Sequence, residues 1–215
     1  MTGRMAIGYL ILLLMLALFA GQVRARGLIG ETYVAAQLGA VRVGAEAISE
    51  FDQYAIGLGI VFNGQLATNF DIKLGYSTSR VKGERKEPPE SAGEVSMKKS
   101  DYSIDLAVRF LPESDVEPFA RFGIVHVNPY SGDSLTFLML AGGIEISTSA
   151  AFAITPHVAY LRSDSGDPSE PVVNDFRVAA DASYWLTDRL FATASAGFSS
   201  DSKDIGLHGG LGLGF

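Results

Sequence analysis

The stretch Asn69-Phe70-Asp71-Ile72-Lys73-Leu74-Gly75-Tyr76-Ser77-Thr78 alternates without a break. Successive side chains of an extended chain point to opposite sides. Phe70, Ile72, Leu74 and Tyr76 therefore share one face, and Asn69, Asp71, Lys73, Gly75 and Ser77 share the other. The pattern returns at 101–110, where Tyr102, Ile104, Leu106, Val108 and Phe110 oppose Asp101, Ser103, Asp105, Ala107 and Arg109. It returns at 175–186, with Phe176, Val178, Ala180, Ala182, Tyr184 and Leu186 on the apolar side. It closes the chain at 204–215, with Ile205, Leu207, Gly209, Leu211, Leu213 and Phe215 opposite Asp204, His208 and four glycines. Each run reaches about ten residues, the span of a tilted strand in a bilayer and longer than the usual soluble strand.

Working outward gives ten strands, at 31–42, 51–62, 66–79, 99–111, 117–128, 135–147, 151–163, 174–186, 190–199 and 204–215. Short turns are expected at Asn63-Gly64-Gln65, Pro112-Glu113-Ser114-Asp115, Ser147-Thr148-Ser149 and Thr187-Asp188-Arg189, all built from turn-forming residues. Longer segments lie between them, at 43–50, 80–98, 129–134 and 164–173, with a brief one at 200–203. Short turns at one end and longer loops at the other are the wiring of an outer-membrane barrel. The fold expected is an all-β, transmembrane, antiparallel up-and-down barrel of about ten strands, with eight as the alternative. An even count puts both termini at one end, the periplasmic one.

Composition fits. The 215 residues are 47% hydrophobic and include 24 glycines, yet after residue 25 no apolar run approaches the ~20 residues of a spanning helix. A net charge of −7 argues against a nucleic-acid partner. With no cysteine there is neither a disulfide framework nor a thiolate metal site, and no cofactor is expected. At the start, Arg4 precedes an almost unbroken apolar run at 6–20, and Val23 and Ala25 offer small positions. This is the form of a secretory leader cleaved after Ala25. The chain then divides into a leader, 1–25, and a barrel domain, 26–215. An uncleaved anchor helix is the alternative, disfavoured by the short run and the lack of a basic cluster after it.

Aromatic residues fall on the outward parity near both ends of the strands. Phe62, Phe70, Phe110, Phe152, Tyr184 and Phe215 would form a periplasmic ring, and Tyr76, Tyr102, Tyr160, Phe176 and Phe198 an outer one. The lumen face would hold Asp71, Lys73, Asp101, Asp105, Arg109, Arg121, Glu145, His157, Asp175, Arg177, Asp181 and His208. Charges inside a small barrel must pair or stay hydrated. They are read as an ion-pair network filling the interior, or else as the lining of a narrow pore. The inward Gly57, Gly59, Gly75, Gly123, Gly143, Gly210 and Gly212 would leave room for such a pore. Trp185 has inward parity, as a plug or as a break at a bulge.

The motifs Tyr33-Val34-Ala35-Ala36-Gln37-Leu38-Gly39, Tyr54-Ala55-Ile56-Gly57-Leu58-Gly59 with Phe62-Asn63, Pro118-Phe119-Ala120-Arg121-Phe122-Gly123 and Leu211-Gly212-Leu213-Gly214-Phe215 carry a likeness. Together with the leader they resemble the small outer-membrane barrels of the OmpA-like or opacity type, over nearly the whole mature chain. The resemblance implies a cell-outer-membrane location and, commonly, eight strands; the hairpin near 187–203 departs from that. It also implies that Leu211, Leu213 and Phe215 form the signal read by the barrel-assembly machinery, with periplasmic chaperones as partners during biogenesis. Membrane lipid and lipopolysaccharide are the remaining expected partners, and a monomer is expected.

The function expected is that of a membrane barrel with a structural, surface-interaction or narrow-pore role and a largely side-chain-filled lumen. The alternative is a barrel enzyme hydrolysing lipid A or peptides. His126 with Asn128 is similar to the histidine of lipid A deacylase barrels, but asparagine stands where those enzymes have a serine nucleophile. Asp164, Asp167 and Asp175 near the rim are too generic to match the acid pairs of omptin-type proteases. The polar segment 80–99 reads as a solvated loop. Its basic ends, among them Arg80 and Lys98, suit lipopolysaccharide phosphates.

Overall fold

The computed structural model describes residues 27–42, 54–84, 94–112, 114–130, 133–163, 172–201 and 203–215. The leader at 1–25, its cleavage point, the whole of the segment at 43–50 and most of that at 164–173 lie outside these. Ten strands form: β1 Tyr33–Arg42, β2 Tyr54–Ala67, β3 Phe70–Glu84, β4 Glu94–Arg109, β5 Val116–Asn128, β6 Leu135–Ser147, β7 Phe152–Ser163, β8 Val173–Trp185, β9 Leu190–Ser199 and β10 Ile205–Gly214. Each pairs antiparallel with its neighbours in sequence, and β1 pairs with β10 to close the barrel. The hairpin β8–β9–β10 that an eight-strand count omits is in register throughout. The start of β1 and the end of β10 lie at one end, the terminal end; the other is the distal end.

Two boundaries differ from the sequence reading. The β2–β3 hairpin turns at Thr68-Asn69, since β2 continues through Asn63-Gly64-Gln65 and shifts register between Gln65 and Ala67. Asn63 and Gln65 look like turn residues but are held in the ladder. The Asn63 side chain faces inward and donates to the Glu31 carbonyl at 2.7 Å, and the Gln65 amide donates to Thr32 Oγ1 at 3.1 Å. In the polar segment, pairing extends to Glu84 opposite Glu94, so much of what reads as loop is ladder. β3 and β4 have 15 and 16 residues, against 10 in β9 and β10. Backbone pairing persists there after the apolar face has ended.

The outward face explains the alternation. Leu38, Ile56, Leu58, Leu138 and Leu140 are each about 60–68% exposed, and Leu207 and Leu211 nearly as much. A water-facing surface with a continuous aliphatic band would drive association. A hydrocarbon layer removes that cost and also requires the closed ladder, since an open edge leaves backbone groups unpaired in lipid. The aromatic positions flank this band: Phe70, Phe110 and Phe215 are exposed at the terminal end, and Tyr102, Tyr160, Phe176 and Phe198 near the distal end. The buried side chains are those of the lumen.

Candidate functional site: the barrel lumen

The terminal end of the lumen is closed by large side chains from three strands. Trp185 at the end of β8 is 1% exposed and Phe191 on β9 is fully buried. Their rings lie 4.9 Å apart, and Tyr33 of β1 meets the Phe191 edge at 5.3 Å. Trp185 is thus a plug in regular register opposite Phe191, with no bulge at that point. At this level the facing strand, β10, presents Gly212 and Gly214. A Cβ on Gly212 would overlap the Phe191 ring, and one on Gly214 would sit 2.8 Å from the Trp185 ring. The glycines are the space into which the rings fit.

Beside the rings lies an ion cluster. Arg109 Nη1 donates to Glu117 Oε1 at 3.0 Å, and its Nε is 3.6 Å from Asp71 Oδ2. All three side chains are buried. Full burial of charge is tolerated only when opposite charges and donors surround it. The donors come from the chain ahead of β1. The amides of Leu28 and Ile29 donate to Glu145 Oε2 at 2.9 and 3.2 Å, and the Gly30 amide donates to Asp71 Oδ2 at 2.9 Å. Gln65, its amide oriented by its neighbours, accepts from Arg109 Nη2 at 2.8 Å and donates to the Gly30 carbonyl at 3.2 Å. Gly30 has φ +83°, a conformation costly for a residue with a Cβ, and Arg109 packs against its α-carbon. Residues 27–31 therefore form a strap inside the barrel mouth, tied to β2, β3 and β6.

Above this floor lies a cavity of about 490 Å³. Leu28, Ile29, Tyr33 and Glu145 line its bottom, whereas Trp185, Phe191, Arg109 and Glu117 are not in its wall. One side is made of small residues on β9, β10, β1 and β2, among them Gly57, Gly59 and Gly206. The opposite side, at the distal end, is apolar: Val125, Ala141, Ala159 and Leu161 line it, in one cluster with Val127 and Phe137. Tyr130, from the β5–β6 connection, folds in against Ala55 and Val81, its hydroxyl 2.6 Å from Ser79 Oγ. Burial raises the pKa of that phenol, so it stays neutral.

The charged residues singled out from the sequence all face inward but do not form one network. Asp71 and Arg109 belong to the floor, and Glu145 bridges floor and cavity. Lys73, Asp105 and Arg121 meet at mid-height: Lys73 pairs in register with Asp105, whose Oδ1 is 4.0 Å from Arg121 Nε. His157 faces Asp181 at 3.7 Å, and His208 lies against Gly39 and Gly206 on the small-residue wall. Near the distal end, Asp101 sits 3.9 Å from Lys99, and Arg177 is 2.6 Å from Asp175. Asp175 also accepts from Ser199 Oγ at 2.9 Å and from the Asp201 amide at 3.2 Å. The sequence reading missed Glu117, whose odd parity with Phe119 and Arg121 marks it as inward, and it missed the strap.

The glycines read as leaving pore space separate into two kinds. Gly123, Gly143, Gly210 and Gly212 are close-approach positions, where an added Cβ would strike a strand backbone or a ring. Gly57 and Gly59 have neighbours no nearer than 3.0 and 3.4 Å and border the cavity; Gly75 borders it too, but a Cβ there would sit 2.5 Å from the Ser103 hydroxyl.

Outside the lumen, His126 Nδ1 lies 2.9 Å from Thr136 Oγ1 on the lipid-facing side, beside the Tyr102 ring. Its outward neighbours in register are Tyr102 and Thr136, and along its own strand Ile124 and Asn128. None of these described neighbours is a carboxylate. Leu211, Leu213 and Phe215 point outward and are exposed at the terminal end of β10.

No protein-family model and no curated protein sequence matches the chain. Solved structures do. The chain is similar to the KdgM porin in complex with disordered oligogalacturonate, with a TM-score of 0.51 at 11% identity over 85% of this chain and 99% of that one. It is similar to the NanC porin with a TM-score of 0.51 at 7% identity, over 84% of this chain and 98% of that one. At such identities the likeness is one of fold: the closed antiparallel barrel of outer-membrane porins.

Proposed function

We propose that the chain is an integral, non-enzymatic barrel of the Gram-negative outer membrane, with both termini in the periplasm and no continuous pore. Its aliphatic band supports the membrane placement. Its floor carries the functional reading: Trp185, Phe191, the Arg109 cluster and the strap fill the periplasmic mouth. What remains is a pocket above that floor, beneath a β3–β4 hairpin longer than the strands of the opposite wall. Such a barrel serves at the cell surface or as a membrane scaffold rather than as a diffusion channel. The lining is of mixed sign, with Lys73, Lys99, Arg121 and Arg177 against Asp101, Asp105, Glu145, Asp181 and Asp204. Nothing in that balance favours the acidic sugar named with the KdgM porin. The exposed Leu211, Leu213 and Phe215 serve, in this reading, the machinery that inserts barrels.

The test is a planar-bilayer recording on the purified full-length chain. Wild-type protein is expected to give no conductance steps. Large, stable, porin-like currents would overturn the closed-floor reading.

A further inference from the structure

On the lipid side of the β3–β4 hairpin the register sorts outward residues into pairs of rising polarity. Leu74 stands opposite Ile104, Tyr76 opposite Tyr102, Thr78 opposite Ser100 and Arg80 opposite Lys98. The first pair is exposed and aliphatic. In the second the rings lie 5.0 Å apart, and His126 extends the row. In the third the hydroxyls are linked, Ser100 Oγ lying 3.4 Å from Thr78 Oγ1, which donates to the Lys99 carbonyl at 3.0 Å. The fourth places two exposed cations directly across from one another on one face. Like charges in that position destabilise a ladder unless something neutralises them.

Among the described residues neither Arg80 nor Lys98 has an ion-pair partner. Arg109, Arg121 and Arg177, inside the barrel, each have at least one. Two residues along a strand advance it by about 6.6 Å, so the cations stand about 10 Å beyond the tyrosines along the axis of a barrel with strands tilted about 40°. That is headgroup depth, and both side chains are long enough to reach back toward the interface. The order of aliphatic, amphipathic, hydroxyl and cationic pairs matches the order of acyl chain, interface, sugar and phosphate in a phosphorylated glycolipid.

We propose that Arg80 and Lys98, with Thr78 and Ser100 beneath them, hold a phosphate of an outer-leaflet glycolipid against the β3–β4 wall. The inference rests on the membrane reading and names the lipid group that this face selects. The occupant is a lipid rather than a free anion because the site continues without interruption from the exposed aliphatic band.

The full-length protein would be reconstituted in phosphatidylcholine nanodiscs containing lipid A with both phosphates, or lipid A from which the phosphates have been removed. Lipid retained after detergent release is then counted by native mass spectrometry. Wild-type protein is expected to retain the phosphorylated form preferentially. Arg80→Gln with Lys98→Gln is expected to lower that retention by roughly tenfold or more, with the dephosphorylated form unchanged. Exchanging the cations, Arg80→Lys with Lys98→Arg, should keep it. Equal retention of the two lipids by wild-type protein overturns the inference without any variant, and so does displacement of the lipid by millimolar inorganic phosphate. A chain that does not insert into the nanodiscs sinks the membrane reading itself. Insertion without phosphate preference sinks only the headgroup site.

Discussion

The two halves of the lumen are built from similar residue types and behave as opposites. At the terminal end, glycines on β10 face Trp185 and Phe191, and the interior is solid. Toward the distal end, glycines on β2 face no large ring, and the interior is hollow. Charge follows the same division. The terminal cluster of Arg109, Asp71 and Glu117 is buried in packed protein at separations of 3.0 and 3.6 Å, whereas at mid-height Lys73, Arg121, His157 and Asp181 border a cavity, at separations of 3.7–4.0 Å where they are paired. The difference lies in what stands across from each small or charged position. That information is held by strands far apart in sequence.

The largest effect expected is from removing the floor. Trp185→Ala combined with Phe191→Ala takes away two buried rings, at about 3–5 kcal/mol each by the usual cost of large-to-small changes. The double variant should unfold at clearly lower urea concentration in detergent, and in planar bilayers it should show current steps that the parent lacks. A double variant that folds and stays electrically silent would mean that the strap and ion cluster seal the mouth by themselves.

Next comes the ion cluster. Arg109→Met leaves Asp71 and Glu117 buried without their cation, a change that costs about 3–5 kcal/mol when a buried pair is broken from one side. Arg121→Met, at the cavity wall 4.0 Å from Asp105, should cost far less, because Asp105 keeps Lys73 beside it and borders the cavity instead of packed protein. Urea midpoints of the two variants, measured side by side, test whether the terminal charges and those of the cavity wall differ in kind. Equal losses would erase the distinction.

The outward half of the structure was legible in the sequence because a bilayer imposes one simple demand on every second residue. Phe70, Ile72, Leu74 and Tyr76 answer it, and the tenth strand follows from the same parity in Leu207, Leu211 and Leu213. Asn63-Gly64-Gln65 misled because turn composition is a local signal, while Asn63 is held in the ladder by Glu31, 32 residues away. The strap was unreadable: its backbone amides meet Glu145 across a separation of 116–117 residues. No periodicity records a backbone-to-carboxylate bond of that range. Inward charges could be assigned to the lumen by parity, but their grouping into floor, middle and distal sets depends on the shear of the closed sheet.

Glycine substitution gives the smallest and most discriminating difference. Gly212 and Gly59 are both inward-facing strand glycines, and both read as spare room. A Cβ at 212 would overlap the Phe191 ring, which is wedged against Trp185 and Tyr33 and cannot withdraw. Overpacking of this kind costs about 1–3 kcal/mol. A Cβ at 59 would find its nearest neighbour, the Tyr76 carbonyl, at 3.4 Å and the Gln37 side chain at 3.7 Å, which is ordinary contact. Gly59→Ala should therefore leave stability within about 0.5 kcal/mol, and the reduced freedom of the unfolded chain gives it a small push in the favourable direction. The two urea midpoints should part in that order. If Gly212→Ala is as well tolerated as Gly59→Ala, the rings have slack, and the solid floor is looser than its close contacts imply.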